Sequence, residues 1–305
     1  MGRVLVTGAT GYIGRHALAG LAARGFTPVV LGRSMPEDAP PAAEWHRVDL
    51  LNAAAVRAAV AQARASHCLH LAWDVGAGFW TAPSNLDWLA ASLTLLRAFA
   101  EAGGERFVAA GTCAEYDWSV LDGTPVREDA PRRPHTLYGA AKNGLRDVVD
   151  RFGAAHGLST AWGVVFHSVG PFERPGRLVP SIIAALDAGH EAPCSAGTQV
   201  QDVLDVRDLG EAFAALAVSP VSGAVNLGSG TGTPVAEIAR RTAALCGRPD
   251  LLRLGALPTR SGEPAALVPD VGRLVGEVGF TPRHSLDDAL TAAIAWWRAR
   301  RGSGA

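Results

Sequence analysis

This chain predicts a doubly wound α/β fold built on a parallel sheet, and two observations carry the prediction. The apolar run Val4-Leu5-Val6 leads straight into Thr7-Gly8-Ala9-Thr10-Gly11-Tyr12-Ile13-Gly14, and a helical pattern with Ala17, Leu18, Leu21 and Ala22 runs on toward Gly25. A buried strand, a glycine turn and a helix start in that order make a dinucleotide-binding beginning. Short strand-like runs then alternate with helix-like segments through the first half of the chain.

The elements follow in order. Gly8, Gly11 and Gly14 are spaced Gly-x-x-Gly-x-x-Gly. They permit a tight turn and bring the backbone of Tyr12 and Ile13 against a pyrophosphate at the helix N-terminus. Thr27 to Leu31 is the second strand and ends in Gly32-Arg33-Ser34. An NAD site places an Asp or Glu there for the ribose 2′-hydroxyl, whereas Arg33 suits the 2′-phosphate of NADP(H); NADP(H) is therefore favoured, with NAD left open. Trp45 to Val48 is the third strand, running into Asp49-Leu50, and Asn52 caps a helix through Ala63. His67 to Leu71 is a buried fourth strand closing with His70-Leu71-Ala72-Trp73. A small residue at that strand end suits close passage of a cofactor, and His70 reads as a satisfied core histidine. The loop from Asp74 to Pro83, with Phe79 and Trp80, either covers a ligand or packs on the body. A long helix from Asn85 to Ala102 presents Leu86, Leu89, Leu93, Leu96 and Phe99. Arg106 to Ala110 is the fifth strand, and Thr112 follows at its carboxyl end, the edge where such sheets bind ligands. Leu121 to Pro134, rich in proline and charge, is loop.

The chemistry sits in Leu137-Tyr138-Gly139-Ala140-Ala141-Lys142. Tyr138 and Lys142 are four apart and share one helix face. An ammonium beside a phenol favours the phenolate, so Lys142 is expected to lower the Tyr138 pKa and make it a proton donor and acceptor near neutrality. Thr112 would reach the same substrate oxygen.

Composition sets the remaining limits. The chain has 305 residues, 48% hydrophobic and 19% charged, with a net charge of −1. That length supports one large domain or two smaller ones, and the balance argues against an electrostatic nucleic-acid binder. No apolar run is long enough to cross a membrane, and the N-terminus lacks the basic region of a signal peptide. Cys68, Cys113, Cys194 and Cys246 are scattered without metal-ligand spacing, which reads as free thiols in a reducing cytoplasm and no metal site.

Taken together, TGATGYIG at Thr7 to Gly14, Asp49-Leu50, HLAW at His70 to Trp73, Thr112 and YGAAK at Tyr138 to Lys142 resemble an extended short-chain dehydrogenase/reductase. The family is that of the NAD(P)-dependent epimerases and dehydratases, which act mostly on nucleotide-linked sugars. Gly170-Pro171, RLVP at Arg177 to Pro180, DVLDVRD at Asp202 to Asp208, NLGSG at Asn226 to Gly230 and Arg260 continue the resemblance in family order. It implies a Rossmann cofactor domain over residues 1–170, with a later return near 202–228, and a smaller C-terminal α/β substrate-binding lobe over 171–305. Ser159 to Phe166 would complete the cofactor sheet, Leu286 to Arg300 would be a closing helix, and a homodimer would form through the helices holding Asn85 and Tyr138.

Three departures from the family pattern bear on the reaction. Sugar 4,6-dehydratases carry Asp-Glu just after the threonine, where this chain has Cys113-Ala114, so ordinary dehydration loses its machinery. Glu115 with Cys113 would have to substitute in an unusual dehydration, against a plainer structural reading of Glu115. His167 stands where relatives often have Asn, and it is placed to face the substrate. Gln201 replaces an Arg, leaving Arg177 and Arg260 as the candidates for a diphosphate. With Arg33 favouring NADP(H), the expectation is an NADPH-dependent reductase of a nucleotide-linked 4-keto-6-deoxy sugar. An NAD-dependent 4-epimerase is the alternative, and an NADP-sensing protein without catalysis is the reading outside enzymes.

Overall fold

Gly2–Thr7 forms the first strand, β1, and its last four residues are buried before the chain turns into helix α1, Gly14–Ala23. The computed structural model describes residues 2–259 and 262–302. From α1 the chain runs β2 (Phe26–Gly32), β3 (Glu44–Arg47), α2 (Ala53–Ala63), β4 (His67–His70), α3 (Ser84–Glu101), β5 (Arg106–Thr112), α4 (Leu137–His156) and β6 (Ser159–Val165). The second half adds β7 (His167–Val169), α5 (Leu178–Asp187), β8 (Ala192–Pro193), β9 (Val200–Asp205), α6 (Val206–Val218) and β10 (Gly223–Leu227). It closes with β11 (Gly232–Pro234), α7 (Val235–Leu245), β12 (Leu252–Arg253), β13 (Ala266–Leu267), α8 (Gly272–Gly276) and α9 (Leu286–Gly302).

Local chemistry sets several helix ends. The Asn52 side chain accepts from Ala55 N at 3.1 Å and starts α2. Thr136 accepts from Gly139 N at 3.1 Å and starts α4 one residue before Tyr138, while Gly157, at φ +67°, ends that helix.

Seven strands form one sheet in the order β10-β6-β5-β4-β1-β2-β3, and every pairing in it is parallel. Strand order reverses at β1, whose neighbours are β2 and β4, so a crevice opens beyond the carboxyl ends of β1 and β4. Both faces of the sheet are covered. Val56 and Val60 of α2, Leu95 and Leu96 of α3, and Leu145 and Val149 of α4 bury one face. Leu18 and Leu21 of α1 and Leu209, Phe213 and Leu216 of α6 bury the other. Sequence reading completes this sheet with Ser159–Phe166 and expects a return near 202–228; that return carries a further strand, β10, which lies outside β6 as the true edge. The difference arises because β10 comes after an intervening lobe.

A second sheet has β9 as its hub, with β7 and β13 parallel to it and β11 antiparallel. Asp202–Asp205 therefore lies in this small sheet, and α6 and β10 go back to the large one, followed by α8, whose Leu274 joins the same core. Ile182 and Ile183 of α5, Ile238 and Ala243 of α7, and Leu290 and Ile294 of α9 form a separate core beside it.

Candidate active site

The glycine turn is built to the point of contact. Gly8 has φ +73°, and a Cβ on it would lie 2.7 Å from Ala72 N and 2.8 Å from the Leu71 carbonyl carbon. A Cβ on Gly14 would lie 2.2 Å from the Gly8 carbonyl oxygen, and Gly11 N donates to that oxygen at 2.9 Å. Among the described residues no side chain caps α1, so the N–H groups of its first turn, around Tyr12 and Ile13, are available to an anion. A narrow glycine cradle with uncapped donors at the sheet's switch point fits a dinucleotide pyrophosphate. Leu71, Ala72 and Trp73 follow β4 along one side of it.

His70 secures this arrangement from below. Ser92 Oγ donates to Trp88 O at 2.7 Å, so His70 Nε2 donates to Ser92 Oγ at 2.8 Å. Nδ1 then accepts from the Thr7 hydroxyl at 2.7 Å. Thr7 Oγ1 in turn accepts from Ala72 N at 3.3 Å. Burial pushes the imidazole down to about 3, and it stays neutral. At the other side of the crevice, Arg33 and Asp49 are exposed beyond the ends of β2 and β3, and Leu50 is buried.

Thr112 ends β5, and Tyr138 and Lys142 occupy the first turns of α4. Tyr138 is enclosed edge-on by Phe79, Trp80 and Trp73, with ring centroids at 4.9, 5.7 and 6.3 Å. The 74–83 loop is therefore a wall of the site. Tyr138 N donates to Trp80 O at 3.1 Å. Asn85 braces the loop, its Nδ2 donating to Phe79 O at 2.7 Å and its Oδ1 accepting from Trp73 Nε1 at 2.9 Å. Burial raises the Tyr138 pKa, and the Thr112 hydroxyl offsets part of that rise. Lys142 Nζ donates to Ala110 O at 3.0 Å and lies 3.9 Å from the Trp73 ring centre. Its own burial lowers it to about 7. The expected lowering of the phenol by Lys142 is thus corrected. In the free chain desolvation dominates both groups, and the lysine is turned to a carbonyl and an indole face.

Glu115 takes the plainer, structural reading and is not among the substrate contacts. It is fully buried and spends its oxygens on the fold. Oε1 accepts from Thr112 N at 2.9 Å and Trp162 Nε1 at 3.0 Å, and Oε2 lies 3.5 Å from Arg146. Burial raises its carboxyl against the pull of Arg146. It positions Thr112 from behind and has no face left for a sugar. Cys113 stays beside Thr112 and Tyr138, but burial pushes its thiol up to about 12, which removes it as a base.

A further wall comes from the segment between β7 and α5. Phe172 has φ +69°, unusual for a residue with a side chain. Its ring lies 3.4 Å beneath the Arg15 guanidinium and 4.9 Å from Trp296 of α9. Arg15 donates to Thr10 O at 2.9 Å, on the glycine turn. Arg174 donates to Val75 O and lies 5.1 Å from the Phe79 ring centre, joining this segment to the aromatic wall. Next to Phe172, Glu173 is turned inward and buried. Arg177, heading α5, lies 3.7 Å from Glu173, and its charge reaches Tyr138, Cys113 and His167. Burial and Arg177 push His167 down to about 4. Arg260 lies outside the described residues. Sequence reading misses Asn85, Arg174 and Glu173. Asn85 carries a legible signal in its place at the helix start after Pro83, whereas nothing local marks the other two. Among the described residues no helix is long and apolar enough to cross a membrane, and no cluster is placed to hold a metal.

Comparison with known proteins agrees with this geometry. The sequence model of the NAD dependent epimerase/dehydratase family matches residues 4–228. The UDP-glucose 4-epimerase of Azospirillum brasilense is 30% identical over 97% of this chain and 92% of that protein. Among solved structures, the UDP-glucose 4-epimerase of Thermus thermophilus in complex with NAD superposes with a TM-score of 0.85 at 26% identity, covering 97% of this chain and 99% of that one. MoeE5 in complex with UDP-glucose and NAD does so with a TM-score of 0.80 at 29% identity, covering 99% and 100%.

Proposed function

Because the chain belongs to the NAD dependent epimerase/dehydratase family, we propose that it is an NAD-dependent 4-epimerase of a nucleotide-linked sugar. The observation that carries the reading is the convergence of Thr112, Tyr138 and Lys142 beside the glycine cradle in a chain alike over its whole length to UDP-glucose 4-epimerases. This revises the sequence expectation of an NADPH-dependent reductase. That expectation rested on Arg33, an exposed residue just beyond the end of β2. Two of the structures it resembles hold NAD.

In this reading the backbone of Gly8, Gly11, Tyr12, Ile13 and Gly14 holds the pyrophosphate. Asp49 and Leu50 lie toward the adenosine, Leu71, Ala72 and Trp73 flank the cofactor, and Lys142 binds the nicotinamide ribose. When bound, NAD supplies a positively charged, reversible hydride acceptor. Tyr138 takes the proton from the sugar C4 hydroxyl and returns it to the same oxygen after inversion, and Thr112 holds that oxygen throughout. Inversion requires the C4 ketone to present its opposite face, so the sugar must turn while its diphosphate stays held. Arg177 suits that anchoring, and His167 lies beside it. Dehydration needs a second acid and base, which Cys113, Ala114 and the fully bonded Glu115 do not provide. The same reading pairs two copies across α3 and α4, where Leu86 and Val148 are exposed.

The test is to assay the purified chain, after measuring its bound nicotinamide, with UDP-glucose and dTDP-glucose. The C4 epimer should form with no net change in reduced cofactor. NADPH consumption with a 4-keto sugar and no epimer would return the reading to a reductase, and a 4-keto-6-deoxy product would make it a dehydratase.

A further inference from the structure

Three buried polar atoms lie around one cation. The Tyr12 hydroxyl, His167 Nδ1 and Glu173 Oε2 are each shielded from solvent, with no partner at hydrogen-bonding geometry among the described residues; Ser168 lies beside the Tyr12 hydroxyl. They come from the glycine turn, from β7 and from the segment before α5, and all three feel the charge of Arg177. Arg177 Nε lies 3.7 Å from Glu173 Oε1, with a side chain 39% exposed against 9% for Glu173. The guanidinium thus has a buried acid on one side and solvent on the other. Its charge is also felt at Tyr138 and Cys113.

We infer that Glu173 is a proton-linked competitor for Arg177: an incoming diphosphate takes the guanidinium from Glu173, and the displaced carboxylate takes up one proton from solvent. The inference rests on the nucleotide-sugar reading above. Two like charges cannot share one partly buried cation cheaply, and the weaker base of the two stays ionised. A sugar diphosphate is the weaker base, since each of its phosphates keeps one charge throughout the neutral range. Glu173 is already poised to yield, because burial outweighs Arg177 and lifts its carboxyl to about 7. The charged and titratable groups acting on it are Arg177 and Arg174 from its own segment and Tyr12 from the glycine turn. Asp205 at the head of α6 acts on Tyr12, and His167 faces Arg177. Protonated Glu173 would then donate to the bound phosphate instead of repelling it.

Affinity should be flat below pH 7 and fall by up to tenfold per pH unit above it, as each binding event comes to need a proton. Calorimetry of the NAD-loaded full chain with UDP-glucose at pH 8, in phosphate and in Tris, reads the proton directly from the difference in apparent heat. The wild type should take up a substantial fraction of one proton per site. Glu173→Gln, of nearly the same shape, should bind with no uptake and keep its affinity at pH 8.5. His167→Asn should keep the uptake. Binding to the wild type without proton uptake overturns the inference alone, as does uptake that survives in Glu173→Gln or disappears with His167→Asn. If neither UDP-glucose nor dTDP-glucose binds the wild type, the nucleotide-sugar reading fails and this inference falls with it.

Discussion

Lys142 is the only lysine in the chain, so its titration can be followed without interference from another. Burial lowers it from the ordinary 10.5 to about 7. A gap of about 3.5 pH units, at about 1.4 kcal/mol per unit, makes burial of the ammonium cost about 5 kcal/mol. The folded-state value lies below the unfolded one, so the cost is complete below pH 7, where both states hold the proton. It shrinks between pH 7 and 10.5 and is gone above that range. Lys142→Met keeps an unbranched side chain and removes the titration. Its stability relative to the wild type should therefore fall by about 2–3 kcal/mol between pH 6 and pH 9. Cysteines and tyrosines also titrate at the alkaline end, but they are common to both proteins and cancel in the difference. Urea unfolding of both at pH 6, 7.5 and 9 supplies the curve, and NMR of 15N-lysine-labelled protein supplies the pKa. A stability difference that does not change with pH, or a lysine nitrogen titrating near 10, would refute the reasoning.

Tyr138→Phe should lower epimer formation by about 10²- to 10⁴-fold while leaving bound NAD unchanged, measured by sugar analysis and cofactor content. A variant keeping a tenth of wild-type activity would remove Tyr138 from the proton transfer. Gly14→Ala drives a methyl to within 2.2 Å of the Gly8 carbonyl oxygen, a backbone atom that must move. NAD titration should show at least tenfold weaker binding, with about 1–3 kcal/mol lost in urea unfolding. Glu115→Ala leaves Arg146 buried beside a hole and should cost about 3–5 kcal/mol in the same experiment. A loss under about 1 kcal/mol would mean that the buried pair does not hold the site together.

The parts of the molecule legible in the sequence are those fixed by neighbours along the chain. The β1 run, the glycine turn and α1 depend on adjacent residues, as do the Asn52 cap and the four-residue spacing of Tyr138 and Lys142. That spacing gives proximity but not the sign of the electrostatics. Burial decides the sign, and it comes from Phe79, Trp80 and Trp73, far away in sequence. Glu115 is ambiguous in sequence for the same reason: its role is set by Trp162 and Arg146. Glu173 is invisible there because its inward turn depends on the backbone at Phe172. The β10 edge is likewise a long-range fact, with β7 through α6 intervening between it and its neighbour β6.

The contact of Phe172 with Trp296 gives the end of the chain a stake in its beginning. Leu290 and Ile294 hold the body of α9 against α5 and α7, but Trp296 reaches on to the residue that supports Arg15 and, through it, the carbonyl of Thr10. Replacing Trp296 by alanine would uncover Phe172 while leaving Leu290, Ile294 and Trp297 on the lobe's own core. Such a variant should fold and still hold its dinucleotide poorly, so the last turns of α9 belong to the cofactor's surroundings as much as the first residues do.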